Sequence, residues 1–156
     1  MAAGGRTRGL PAGTVIEGVT PILGVRSLPA SLDYYVGVLG FTIDWLQPGI
    51  IASVSRGRCA IMLCEGDQGS SCTWVWIGVD DLEPLFEEYR AAGAMVRNPP
   101  TGYPRGYEMQ IEDPDGHVLR VGSGPRSDRP LGEWLDMRGD RWAMSPAGGW
   151  TRVERR

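Results

Sequence analysis

Two stretches of this chain repeat one another, and a repeated supersecondary unit narrows the available folds more than composition does. Val25, Leu28 and Tyr35 recur 54 positions later as Val79, Leu82 and Tyr89, and Gly57 recurs 59 positions later as Gly116. Apolar patterning around these marks predicts short strands at 19–25, 41–47, 50–55, 59–64, 72–79, 94–97, 107–111 and 117–121. It predicts helices at 30–39 and 82–92, the second carrying Leu82, Leu85, Phe86 and Tyr89 as an i, i+3, i+4, i+7 stripe. Each helix is expected to stop at a glycine, Gly40 and Gly93, suited to a left-handed cap. The order is βαβββ twice. Paired units of this kind give an α+β fold whose curved mixed sheet surrounds a pocket, with helices on the outer faces.

Composition then removes whole classes of chemistry. All 16 basic residues are arginine, so a Schiff-base lysine and a phosphate-loop lysine are excluded. His117 is the only histidine, so one chain holds neither a two-His-one-carboxylate iron site, a three-His zinc site nor an HExxH motif. Cys59, Cys64 and Cys72 are odd in number and form no CxxC, which points to buried thiols in a reducing cytoplasm. No apolar run approaches the length of a membrane span, and the leading residues lack the apolar stretch of an export signal.

Charge and composition divide the chain into three parts. Residues 1–15 read as a flexible leading segment, 16–124 as the repeated domain with units at 16–66 and 72–124, and 125–156 as an extension containing tryptophan and arginine. The domain carries a net charge of −7 and the extension +2, which argues against nucleic acid as a partner and mildly favours a cationic ligand. In the extension, Trp134, Trp142 and Trp150 are spaced by eight with no clear helical or strand period. Indoles are poorly left in water, so the extension is expected to pack across the domain or onto a partner subunit.

Three segments carry a family resemblance. Residues 19–41, VTPILGVRSLPASLDYYVGVLGF, resemble the first strand and helix of the glyoxalase, bleomycin-resistance and ring-cleaving dioxygenase family, also called vicinal oxygen chelate proteins. Val79-Asp-Asp-Leu82 running to Ala91-Ala-Gly-Ala94 resembles the family's second helix, and Asp113-Pro-Asp-Gly-His117 its turn before the last strand. The resemblance implies the glyoxalase/bleomycin resistance fold over residues 16–124. Family enzymes hold a divalent metal through His, Gln or Glu at set strand positions. Those positions fall here on Thr20, Trp74 and Arg120, and on one of Ile61, Met62 and Leu63, none of which suits such a cation. The resemblance therefore points to the branch without catalytic metal, whose members sequester an antibiotic in grooves between two subunits. It implies a homodimer, a small-molecule ligand and no metal or cofactor, while charge and hydropathy point to no nucleic acid and no membrane partner.

Strand alternation supplies the candidate pocket. Trp74 and Trp76 lie two apart and share a face, as do Val118 and Arg120, while Leu119 and Val121 face the other way. Two indoles make a stacking platform, and an inward arginine needs either a carboxylate such as Glu65 or Glu108 or an anionic ligand. Thr20, Met62 and Met109 are further wall candidates, with Trp45, Tyr103 and Tyr107. Residues 98–106, NPPTGYPRG, read as a loop that either covers the pocket mouth or merely connects strands. His117 with Asp113 or Asp115 is a weaker general-base candidate, since its turn lies away from Arg120, and no GxSxG elbow is present. The leading expectation is metal-independent binding of an aromatic or cationic organic molecule, such as antibiotic sequestration. Its rivals are a lyase, isomerase or dioxygenase with Glu65, Glu108 or Tyr107 as acid or base, and a protein-interaction module built on the extension.

Overall fold

The computed structural model describes residues 17–145 and 148–154. The expected flexible segment at 1–15 lies outside them. The first half runs β1 (Ile22–Gly24), α1 (Leu28–Gly37), β2 (Thr42–Gln47), β3 (Ile51–Arg56) and β4 (Cys59–Cys64). The second half repeats the order as β5 (Trp74–Gly78), α2 (Leu82–Ala91), β6 (Met95–Tyr103), β7 (Gly106–Glu112) and β8 (Val118–Ser123). Each half forms a four-stranded mixed sheet, ordered β1-β4-β3-β2 and β5-β8-β7-β6, with one parallel pair apiece.

Local chemistry explains the helix ends. The Ser27 hydroxyl accepts from the Ala30 N–H, and the Glu65 carboxylate accepts from the Leu28 N–H at 2.6 Å, so α1 opens with its free donors met. Asp81 caps α2 in the same way through the Glu83 N–H. Beyond the two helices Gly40 and Gly93 take φ of +70° and +79°, where a β-carbon would be strained.

One stretch differs from its sequence reading. Residues 98–103 are strand, not loop: β6 continues through Pro99 and Pro100 to pair Thr101 with Glu108 and Tyr103 with Gly106. The prolines are tolerated because β6 is an edge strand and its register shifts on either side of Asn98, so no ladder N–H is required of them. Only the short turn at Pro104 and Arg105 joins it to β7.

A single apolar core serves both halves. Leu23, Leu28, Tyr35, Val54, Ile61 and Leu63 from the first pack in one cluster with Leu82, Tyr89, Met109, Ile111, Leu119 and Val121 from the second. Polar pins cross the same seam. The Tyr35 hydroxyl donates to Asp113 at 3.0 Å, Tyr34 donates to the Glu112 carbonyl at 2.8 Å, and Arg26 pairs with Asp115 at 2.9 Å. His117 is fully buried. Its Nδ1 accepts from the Thr73 N–H, which places the ring proton on Nε2, the atom that donates to the Gly24 carbonyl at 2.8 Å. Among the described residues, no helix is long and apolar enough to cross a membrane.

The extension is ordered sheet, where the sequence showed no period. Strands β9 (Trp134–Leu135), β10 (Arg141–Met144) and β11 (Trp150–Arg152) form an antiparallel sheet in the order β11-β10-β9.

Candidate functional site

The parallel pairing of β5 with β8 sets Trp74 beside Val118 and Trp76 beside Arg120. On this face β7 adds Gln110, opposite Arg120, and Glu108. Val75, Ile77, Leu119 and Val121 take the other face and pack in the core with α2, so the second sheet has one greasy side and one side of indoles and charges. Trp76 lies close over Gly122: a β-carbon there would sit 2.5 Å from the indole. The glycine is therefore needed for the ring's position.

Arg120 is paired internally. Its Nε and Nη2 donate to the two carboxylate oxygens of Glu108, whose side chain is only 7% exposed. The sequence left Glu65, Glu108 or a ligand as its partner, and the fold selects Glu108. The guanidinium also lies 5.4 Å from the ring centre of Trp76 and 4.6 Å from that of Trp134, between two π faces. Trp134 in turn packs against Trp74 at 5.5 Å with the rings tilted by 37°, and the Arg97 guanidinium lies 5.5 Å from the ring centre of Trp74. The result is a continuous row of cations and indoles: Arg97, Trp74, Trp134, Arg120, Trp76.

The extension is bound to this face by polar contacts as well. The Tyr103 hydroxyl donates to the Glu133 carbonyl at 3.0 Å, the Gln110 amide donates to Leu135 at 3.0 Å, and Gly132 N–H donates to Gly102 at 2.9 Å. Arg97 reaches the Leu135 and Asp136 carbonyls, and the Trp74 indole N–H meets the Met137 sulfur. In the β9–β10 turn Asp136 accepts from the Trp142 indole N–H and from the N–H groups of Arg138 and Asp140, which hold its carboxyl below the usual range. Of the two placements left open for the extension, the chain shows the one across its own domain.

Between the second sheet and the extension lies a cavity of about 750 Å³, walled by Tyr103, Trp134, Trp142 and Trp150 with Glu108, Arg120 and Asp136, and with Arg105 at its rim. A narrower space beside it touches Trp74 and Met137. The sequence candidates divide around this geometry. Trp74, Trp76, Arg120 and Tyr103 come together. Trp45 and Met62 sit on the first sheet, level with Ser53 on the face away from the core, and neither lines the cavity. Thr20 is exposed and precedes β1. Tyr107 and Met109 belong to the opposite face: Met109 is wholly buried beside Val121, and the Tyr107 hydroxyl donates to Glu83 of α2 at 2.6 Å. Glu65 is engaged at the start of α1, and His117 has both ring nitrogens committed, so neither stands ready as an acid or base at the indole face.

Reading the extension as aperiodic missed the three tryptophans as cavity wall. A signal was available: the eight-residue spacing is that of short strands joined by tight turns, and Gly139, Gly148 and Gly149 adopt φ between +81° and +88° at those turns. Nor do the residues suit a metal. An indole and a paired guanidinium offer no ligand at positions 74 and 120, and no cluster of three His, Cys, Asp or Glu side chains occurs among the described residues.

A family model described as Glyoxalase/Bleomycin resistance protein/Dioxygenase superfamily matches residues 19–121, stopping before the extension. No curated protein matches the chain. Among solved structures, the bleomycin-binding protein of bleomycin-producing Streptomyces verticillus, complexed with copper(II)-bleomycin, is 25% identical with a TM-score of 0.63; the match covers 71% of this chain and 98% of that one. An antibiotic binding protein from Streptomyces sp. CB03234 is 21% identical at TM-score 0.62, over 71% and 98% of the two chains. A glyoxalase/bleomycin resistance protein/dioxygenase from Nocardioides is 18% identical at TM-score 0.58, over 78% and 92%.

Proposed function

The chain belongs to the Glyoxalase/Bleomycin resistance protein/Dioxygenase superfamily, and from that premise we propose that it binds a small planar aromatic molecule at the indole-lined face of its second sheet, with no metal taking part. The observation that carries this reading is the row of rings and guanidinium groups on that face, whose Trp134 and Arg120 also wall the 750 Å³ cavity. Stacking on two or more rings, with water excluded, contributes on the order of 0.5–1.5 kcal/mol per ring beyond area burial. Sequestration of an antibiotic is the biological form of this activity, supported by the likeness to the bleomycin-binding protein.

The working unit in this reading is a homodimer in the cytoplasm. Support comes from β2, every residue of which is exposed, with Ile43, Trp45 and Leu46 each 45% exposed on an edge strand, and from three cysteines that are all free. Sedimentation at micromolar concentration should give twice the chain mass, and Trp45→Glu should return it to one. A monomeric wild type would remove the dimer.

The test of binding is tryptophan-fluorescence titration of metal-stripped protein with bleomycin and with planar aromatic dyes. Saturable quenching without metal is expected, and the Trp74→Ala, Trp76→Ala double variant should remove it while keeping its far-ultraviolet dichroism. Binding or turnover that appears only after nickel, zinc, manganese or iron(II) is added would overturn the reading.

A further inference from the structure

The cavity under the extension has a charge preference that the net acidity of the domain conceals. Two carboxylates lie in its wall, and all four of their oxygens already accept hydrogen bonds. Both oxygens of Glu108 are taken by Arg120, and those of Asp136 by Arg138 N–H, Asp140 N–H and the Trp142 indole. The guanidinium groups are less committed. Arg105, exposed in the β6–β7 turn, meets no carboxylate among the described residues, and Arg120 uses only Nε and Nη2 in its pair while its side chain is 36% exposed. Each carboxylate already has hydrogen-bond partners within the chain, whereas an anionic group would find spare N–H donors in the planar geometry that suits a carboxylate.

We propose that the space between the second sheet and the C-terminal extension is a binding site for a planar aromatic anion, its rings against Trp134, Trp142 and Trp150 and its carboxylate or sulfonate on Arg105 at the rim. This rests on the aromatic-binding reading above and adds the sign of the ligand's charge and the part of the chain that selects it. The family match ends at Val121, so the three indoles belong to the extension, and Arg105 lies in a turn of the second half. The extension is thus a recognition wall as well as a cover.

Two probes with one ring system and opposite charge separate the terms: 1-pyrenecarboxylate and 1-pyrenemethylammonium, followed by fluorescence anisotropy on the full chain. The carboxylate should bind about tenfold tighter, the effect of roughly one charge-assisted hydrogen bond at a half-open rim. Arg105→Glu should abolish that preference and Arg105→Gln should halve it on a logarithmic scale. Trp150→Ala should weaken both probes, with melting unchanged to within a few degrees. A preference for the ammonium, or an unchanged preference in Arg105→Glu, overturns the charge assignment while the aromatic reading stands. Failure of both pyrenes to bind overturns both readings, and binding indifferent to Trp150→Ala overturns the placement under the extension while the aromatic reading stands.

Discussion

Tyr89 illustrates how much a single buried hydroxyl ties this protein to pH. Burial pushes its phenol up to about 12, against the pull of the Arg56 guanidinium 5.7 Å from the ring centre. The folded chain therefore keeps a proton that the unfolded chain loses above its ordinary value near 10. The stability linked to this proton is whole below pH 10 and falls as pH rises through the window from 10 to 12. Urea denaturation at pH 7, 9 and 11 should show Tyr89→Phe losing about 1 kcal/mol less than wild type between pH 9 and 11. Tyr34 and Tyr35 are raised for the same first reason, burial, so a reduced slope remains in the variant. An identical slope in both proteins would mean that Tyr89 is open to water.

At the scale of elements, the extension is the part whose removal is most informative. The extension covers Trp74 and accepts hydrogen bonds from the Gln110 amide, the Tyr103 hydroxyl and the Arg97 guanidinium of the second sheet. Deleting residues 126–156 should cost roughly 2–4 kcal/mol, the sum expected for a few lost hydrogen bonds and one uncovered indole. Thermal unfolding should drop by several degrees, and the emission of Trp74 should shift red. Unchanged melting would show that the extension rests on the sheet without supporting it. The edge strand β6 shows the opposite relation between sequence and element. Two prolines there signal a break, yet an edge with shifted register carries them inside a strand.

For the molecule as a whole, the seam between the halves matters more than either sheet. Among the described residues no strand pairs across it, and the link is the shared core with side-chain pins from α1 and the β1–α1 junction to the end of β7 and the β7–β8 turn, together with the Arg56–Glu88 pair at 2.7 Å. A joint core makes the halves stabilise each other, so unfolding should be a single transition by dichroism and by tryptophan emission. Tyr35→Phe removes the hydrogen bond to buried Asp113, whose own carboxyl burial pushes up, and should cost about 1–3 kcal/mol without splitting that transition. Two resolved transitions would mean that the halves fold independently.

The sequence by itself determined the order of elements in the two repeated halves, the glycines that stop both helices and the shared face of Trp74, Trp76 and Arg120. These depend on rules of short reach: a repeat of side-chain direction every two residues on a strand, and the steric freedom of glycine just past a helix. Only the tertiary structure decided that Arg120 meets Glu108 and not Glu65, that Tyr107 and Met109 turn toward α2, that His117 is spent on Thr73 and Gly24, and that the extension lies on its own second sheet. Alternation names two faces of a strand without saying which of them a helix or an added sheet will cover. That choice comes from the register between strands and from contacts among residues far apart in the chain, such as His117 and Gly24, 93 positions apart, where burial and hydrogen bonding across the whole fold outweigh local preference.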